Sequence, residues 1–304
     1  MIGIDSSGGI VGPGGASRYL ALHGLRGDTV VARLSLPGGK LLRQRAVKGH
    51  YMTPAVAYDG STSGASADAT KLVLIEAQTR VPVRTTRLLV MSALPLRVER
   101  RIALRGMYGF DAISPDGSTI YLVHYTAPRR DLTRYEVRAL DTTTGRLVPN
   151  PIVDPRKPDE KMTGNPVTRA MSLDGRWAYT LYAGADGTPF IHALDTAGRK
   201  AYCIDLDALA AQPDIFSLRL RVQRDGRRLA VDRRDSPLAL VDTKTLRVSE
   251  PPALTAPKPA AADTAGASGG GARRLLWASI AVVLAAVGGG LVLRWRARGL
   301  RAAR

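Results

Sequence analysis

The feature that most constrains this chain is a repeat. Three segments, AISPDGSTIYLV (Ala112 to Val123), AMSLDGRWAYTL (Ala170 to Leu181) and RVQRDGRRLAVD (Arg221 to Asp232), share an apolar residue three before an Asp-Gly pair and an alternating apolar run that begins four after the Asp. A fourth copy, ASADATKLVLIE (Ala65 to Glu76), carries Ala69 where the others have Gly. A short strand, a tight turn in which Gly takes a positive φ, and a second strand make each copy a β-hairpin. A second element follows each copy: ALDTTTGRLV (Ala139 to Val148), ALDTAGRKAY (Ala193 to Tyr202) and LVDTKTLRVS (Leu240 to Ser249), with VMSALPLRVE and ARLSLPGGKL as weaker relatives. Measured at Ser35, Ser92, Asp141, Asp195 and Asp242, the spacing runs 57, 49, 54 and 47. A period of about 50 residues with about four strands in each predicts all-β architecture built as β-propeller blades, each small twisted sheet burying both faces against its neighbours.

These motifs carry a resemblance. The chain resembles the bacterial YVTN-type and WD-like propeller repeats, whose blades carry S-P-D-G before a hydrophobic strand and then a D-T-x-T-G turn. The match runs over residues 54–250; no Trp-Asp dipeptide ends a blade, and Gly49-His50 is the only Gly-His pair. The resemblance implies a fold and leaves function open, because binders, scaffolds and enzymes share it. About four to six blades are recognisable. Ile4-Asp5-Ser6-Ser7-Gly8 reads as one more D-T-x-T-G turn, so the sequence opens in the middle of a blade, and a comfortably closed ring calls for residues upstream of Met1. A two-sheet β-sandwich is the alternative on the same strand count.

The second constraint lies near the C-terminus. Residues 275–293 read LLWASIAVVLAAVGGGLVL, 19 residues without a charge. At the α-helical rise they cover about 28 Å, which matches a hydrocarbon core of about 30 Å. Trp277 and Trp295 stand near the two ends, where indole rings favour the interface. The expected organisation is therefore a propeller-like domain over 1–250, a Pro/Ala/Gly-rich linker over 251–274, a transmembrane helix from Leu275 to Leu293 and an Arg-rich tail over 294–304. Five Arg follow the helix within eleven residues, which places the tail in the cytoplasm and the domain outside it. Export of the domain calls for a signal peptide, which MIGIDSSGGIVGPGG does not supply. Either the true start lies upstream, or the protein is tail-anchored with its domain in the cytoplasm; exporting five Arg favours the first. Ala281, Ala285 and Gly289 lie four apart on one helix face and permit a homodimer through the membrane segment.

The formal charge of +18 raises nucleic acid as a partner, but its distribution argues otherwise. From Pro251 onward the net is +7, so residues 1–250 carry +11, as scattered Arg without a basic run or interleaved aromatics. The reading is a solvated Arg-rich surface. Cys203, the only cysteine, sits in an apolar alternation and reads as a buried structural thiol. His23, His50, His124 and His192 stand at no zinc-ligand spacing, and His124 and His192 read as packed or half-exposed strand residues. GGIVGPGG (Gly8 to Gly15) lacks the Lys-Ser/Thr of a phosphate loop and reads as loop. The acidic pairs Asp205 with Asp207, Asp159 with Glu160, and Asp232 with Asp235 read as solvated loop charges. No catalytic, cofactor-binding or metal-ligating residue is assigned. The expected function is an extracytoplasmic binding module held at the membrane; a tethered hydrolase or lactonase-like propeller enzyme is the alternative.

Overall fold

In the computed structural model of the chain, residues 8–24, 27–159, 161–210, 212 and 214–251 are described. The anchor expected at Leu275–Leu293, most of the linker before it, the Arg-rich tail and all but Gly8 of the expected first turn fall outside them. No helix among the described residues is long and apolar enough to cross a membrane.

Among the described residues twenty strands form five four-stranded antiparallel sheets in chain order, each a simple meander. Sheet one holds β1 (Ile10–Val11), β2 (Ser17–His23), β3 (Asp28–Ser35) and β4 (Leu41–Lys48); sheet two holds β5 (Tyr51–Met52), β6 (Lys71–Glu76), β7 (Thr85–Ser92) and β8 (Val98–Arg105). Sheet three holds β9 (Tyr108–Ile113), β10 (Thr119–Ala127), β11 (Asp131–Asp141) and β12 (Leu147–Ile152). Sheet four holds β13 (Asn165–Met171), β14 (Trp177–Ala183), β15 (Pro189–Asp195) and β16 (Lys200–Asp205), and sheet five β17 (Arg219–Val222), β18 (Arg228–Arg233), β19 (Ser236–Asp242) and β20 (Val248–Ser249). The strands thus divide among five sheets, which rules out the two-sheet sandwich. GGIVGPGG, expected as loop, contains β1 and a single 3-10 turn at Pro13–Gly15.

Four apolar cores join successive sheets. Tyr19, Val31, Leu72, Leu74 and Met91 fill the first, and Val73, Leu88, Phe110, Ile120 and Leu122 the second. Tyr121, Val137, Ala178 and Leu194 fill the third, and Leu181, Ile191, Leu220, Leu229 and Val231 the fourth. Alternation of side chains along each strand explains this, since Val73 serves one core and its neighbours Leu72 and Leu74 the other. Each Leu or Val so buried contributes about 1.5–3 kcal/mol. Sheet one also leaves Val11, Leu22, Leu41 and Leu42 between 46 and 51% exposed. Outer strands take the cations: Arg43, Arg45 and Lys48 on β4, and Arg100, Arg101 and Arg105 on β8, are exposed. Charge there blunts a sheet edge that would otherwise template pairing.

The repeat motifs are the turns. In Ser114-Pro115-Asp116-Gly117, between β9 and β10, the Ser114 hydroxyl donates to Asp116 Oδ1 (2.6 Å) and accepts the Thr119 N–H (2.9 Å). Asp116 Oδ1 also accepts the Ser118 N–H at 3.0 Å. Ser66 with Asp68 and Ser172 with Asp174 repeat these contacts at 2.6 and 2.5 Å. The Ser114 hydroxyl and the Ser118 N–H hold the Asp116 carboxyl below its usual range. The residue after each Asp lies in the left-handed region: Gly117 at φ 70°, Gly175 at 71°, Gly226 at 70° and Ala69 at 58°. The Asp-Thr of the second element ties the far hairpin to this one. Thr142 donates its hydroxyl to Gly117 O (2.9 Å) and its N–H to Ser118 O (2.9 Å), and Thr243 does the same to Gly226 O (2.8 Å) and Arg227 O (2.9 Å).

Two junctions between sheets use a further device. Thr29 and Thr86 each donate a hydroxyl to a glycine carbonyl, Gly49 O (2.7 Å) and Gly106 O (3.0 Å), and each accepts the N–H of the tyrosine that opens the next sheet, Tyr51 (2.7 Å) and Tyr108 (2.9 Å). One segment also bridges sheets that are not consecutive in the chain. The segment 53–64, between β5 and β6, leaves its own sheet and donates from Tyr58 N to Pro166 O (3.0 Å) and from Asp59 N to Val167 O (3.2 Å), both on β13 of sheet four. Tyr58 meets Phe216 edge-on at 6.1 Å just before sheet five, and Thr62 donates to Gly9 O (2.7 Å) beside sheet one.

Ala69→Gly removes a left-handed strain that costs an L-residue about 1–2 kcal/mol; net of the added unfolded-state freedom it should raise stability by about 0.5–1 kcal/mol. Ser114→Ala, which strands the Thr119 N–H, should lower it by about 1–2 kcal/mol. Chemical denaturation of the full chain in detergent checks both, and equal midpoints for all three proteins would refute the account of the turn.

Candidate functional site

Beside its apolar cluster, the contact between sheets three and four carries a buried ion pair and a row of polar side chains. Directly opposed residues on neighbouring antiparallel strands share a face. In sheet four the register sets Arg169 opposite Thr180, Thr180 opposite His192, and His192 opposite Cys203. A polar row therefore runs across the sheet from its inner strand to its outer one. Arg169 identifies the face: its guanidinium pairs with Asp111 of β9 and donates to Asp111 O (3.0 Å), so the row is turned toward sheet three. Both side chains of that pair are at most 3% exposed.

Much of the row's hydrogen-bonding capacity is unspent. Both ring nitrogens of His192, Thr180 Oγ1, Arg169 Nε and Asp111 Oδ2 have no partner among the described residues. His192 is 1% exposed and Thr180 fully buried. Burial without a partner costs the charged imidazole most, and it lowers the His192 pKa to about 4, so the ring is neutral at physiological pH. Tyrosines surround the row. Tyr135 and Tyr182 have ring centroids 5.8 Å apart, and Tyr182 meets His192 edge-on at 6.4 Å. Burial pushes the Tyr125 phenol up to about 12.

At its outer end the row opens into a cleft of about 680 Å³ between the two sheets. Tyr135, Val137 and Ile152 form the wall from sheet three, and His192, Ala201 and Cys203 the wall from sheet four. A second hollow of about 660 Å³ adjoins it, sharing Arg134, Lys157, Lys161, Met162, Thr163 and Cys203 and adding Phe190. The connection from β12 to β13 shapes the mouth. Asp154 accepts the Cys203 N–H (2.8 Å) and pairs with Arg156 (2.6 Å), Arg156 donates to Cys203 O (2.7 Å), and Lys157 pairs with Asp205 (3.1 Å). Burial alone would raise the Asp154 carboxyl, but these donors outweigh it and hold it low.

The structure regroups the residues singled out in the sequence. Asp159, Asp205 and Asp207, from two separate acidic pairs, line one continuous cleft, with Glu160 outside the described residues. Asp232 is buried beside Arg221 (2.8 Å). Cys203, expected buried, is half-buried on the cleft wall. His192 is a buried strand residue as expected, and His124 is half-exposed, stacked on Tyr108 at 4.4 Å and bonded to Glu136 at 3.1 Å. His23 and His50 come within 6.2 Å of each other, 27 residues apart in the sequence. Among the described residues no group of three or more His, Cys, Asp or Glu is placed to hold a metal ion. Sequence reasoning missed Arg169 on β13 and Thr180 on β14, although both lie in or directly before the Ala170 to Leu181 repeat; an Arg among the apolar residues of that first strand was the available signal.

Because the folded pKa of His192 lies below its unfolded value of about 6.5, the unfolded chain binds more protons between those limits. The stability associated with the neutral ring is complete above pH 6.5 and is lost as pH falls toward 4. His192→Gln should flatten that part of the curve, so wild type should lose on the order of 2 kcal/mol more than the variant between pH 7 and pH 4.5. Separately, Arg169→Met leaves Asp111 buried and unpaired and should cost about 3–5 kcal/mol, of which the double variant with Asp111→Leu recovers most. Denaturation midpoints across pH measure both effects.

No protein-family model and no curated protein matches the sequence. Among solved structures the chain is similar to an oligogalacturonate lyase in complex with manganese (15% identity over 80% of this chain and 63% of that one, TM-score 0.46). It is also similar to TolB from Acinetobacter baumannii (11%, 78% and 51%, TM-score 0.43) and to the Cps50 (Swd1) β-propeller domain of Myceliophteria thermophila (14%, 79% and 64%, TM-score 0.40). The chain spans less than two thirds of the length of each of these three structures. Likeness at this level carries nothing about activity, ligand or partner.

Proposed function

We propose that this is a single-pass membrane protein whose extracytoplasmic domain of five propeller-like sheets is a recognition module, with the cleft between sheets three and four as its binding face. One observation carries the reading: a cleft of about 680 Å³ with buried polar side chains that have no partner among the described residues. A concave site with a few convergent polar groups is what ligand recognition needs. The rest of the molecule supplies rigidity, because both sheets that wall the cleft are held by apolar cores on their other faces.

Kinship with YVTN-type repeats belongs to this proposal, on the strength of Ser114-Pro115-Asp116-Gly117 and Asp141-Thr142-Thr143-Thr144-Gly145. The same holds for the anchor at Leu275–Leu293, the cytoplasmic Arg-rich tail and pairing of two copies through Ala281, Ala285 and Gly289. We assign the module no catalysis.

Membrane fractionation with protease treatment of intact cells tests the anchoring. The chain should stay with the membranes until detergent is added, and external protease should remove the sheet domain while sparing an epitope placed after Arg304. Recovery in the soluble fraction, or a protected domain with a cleaved tail, would refute the topology.

A further inference from the structure

The cleft has a charge character opposite to that of the chain. Across a protein of formal charge +18, its two hollows gather seven carboxylates against three cationic side chains, Arg134, Lys157 and Lys161. Internal pairing uses up much of the remainder: Asp131 pairs with Arg134 (3.2 Å), Lys157 with Asp205 (3.1 Å), Asp154 with Arg156 (2.6 Å) and Glu136 with Arg138 (3.1 Å). Asp159, Asp186 and Asp207 are exposed at the mouth and have no ion pair among those the structure shows. Charges more than a Debye length of about 8–10 Å away are screened, so the mouth presents a local negative field whatever the net charge of the chain.

Behind that mouth lies a floor suited to a hydrogen-bond donor. His192 is neutral and fully desolvated, and its acceptor nitrogen has no donor among the described residues. Thr180 Oγ1 beside it on the register is likewise unpartnered. Tyr135 brings an aromatic ring to the same wall, and a cation over such a ring is attracted by about 0.5–2 kcal/mol.

We infer that this cleft binds an organic cation, an amine or guanidinium group, drawn in by Asp159, Asp186 and Asp207 and received by His192. The inference rests on the recognition reading above and names the chemistry of its ligand. An ammonium or guanidinium group has only donors to offer, which complements carboxylates at the entrance and an imidazole acceptor at the base. Nucleic acid, phosphate and anionic lipid are disfavoured by the same field. A free polyamine and a lysine or arginine side chain of a partner protein present this chemistry alike.

Cys203 gives the test a built-in reporter, being the only thiol in the chain and half-buried on the cleft wall. The full chain in detergent is alkylated with iodoacetamide in the presence of spermidine, arginine amide, an arginine- and lysine-rich peptide, glutamate or glucose. Spermidine, arginine amide or the peptide should slow the reaction of Cys203 several-fold at low salt, and the protection should fade at 0.5 M NaCl. The triple variant Asp159→Asn, Asp186→Asn, Asp207→Asn should need about tenfold more cation for the same protection, and so should His192→Gln. The first changes only exposed side chains, so it stands if the second fails to fold. Stronger protection by the small amines than by the peptide identifies a free metabolite as the source, and the reverse identifies a protein side chain. Protection by glucose or glutamate without protection by any cation would overturn the inference and leave a recognition cleft of other chemistry. Equal protection of wild type and triple variant, or no protection by any cation while Cys203 reacts freely, would overturn it outright.

Discussion

A four-stranded sheet that is apolar on both faces cannot exist alone, and every other property of this domain follows from that constraint. Leu72, Val73 and Leu74 are consecutive and all fully buried, which only a sheet covered on both sides permits. Stacking one meander on the next meets the demand, and it makes the same core position recur once per sheet. The turns then have to be tight and alike, because a hairpin that wandered would displace the next layer. The Ser, Asp and Thr side chains at the turns achieve this by saturating the backbone donors and acceptors that a tight turn leaves free.

The contact between sheets three and four departs from this plan. Beside Val137, Ile152 and Leu194 it places an Asp–Arg pair, a threonine and a histidine. Replacement of such groups by apolar residues is often neutral or stabilising, so packing alone does not account for them. Their position does distinguish them: the row ends in a cleft rather than in a sealed core. Rigid walls with unspent hydrogen-bonding capacity suit recognition, since little ordering is left to be done when a ligand arrives.

Much of the fold was legible in the sequence. Ser35, Ser92, Asp141, Asp195 and Asp242 each close the third strand of a sheet, and the repeat's Asp116-Gly117, Asp174-Gly175, Asp225-Gly226 and Asp68-Ala69 pairs each lead into a second strand. These are short-range signals, carried by side chains that bond their own backbone within a few residues. The Gly49-His50-Tyr51 and Gly106-Met107-Tyr108 junctions went unread, because their partners Thr29 and Thr86 lie about twenty residues earlier. The first sheet was hard to see, with a Gly-Pro-Gly-Gly turn in place of Ser-x-Asp-Gly and a strand of two residues. The candidate site was scarcely legible at all. Asp159, Asp205 and Asp207 looked like solvated loop charges, and nothing local tells that the β12 to β13 connection folds back to bring them around one opening. The row from Arg169 to Cys203 depends on the register of three strand pairs, one of them carrying a bulge between Pro166 and Thr168, and a slip of one residue would send those side chains to the opposite face.

The crossing of segment 53–64 to β13 has a consequence for how the domain comes apart. A row of units that touch only their nearest neighbours melts from its ends, one unit at a time, and its terminal members fray first. Here residues 58 and 59 bond residues 166 and 167, and Thr62 bonds Gly9, so an early unit is stitched to the start of the chain and to a unit more than one hundred residues later. Losing any of these units releases the stitch as well as its own packing. The array is thereby turned from a zipper into a knot of mutual dependence, which favours a single all-or-none transition.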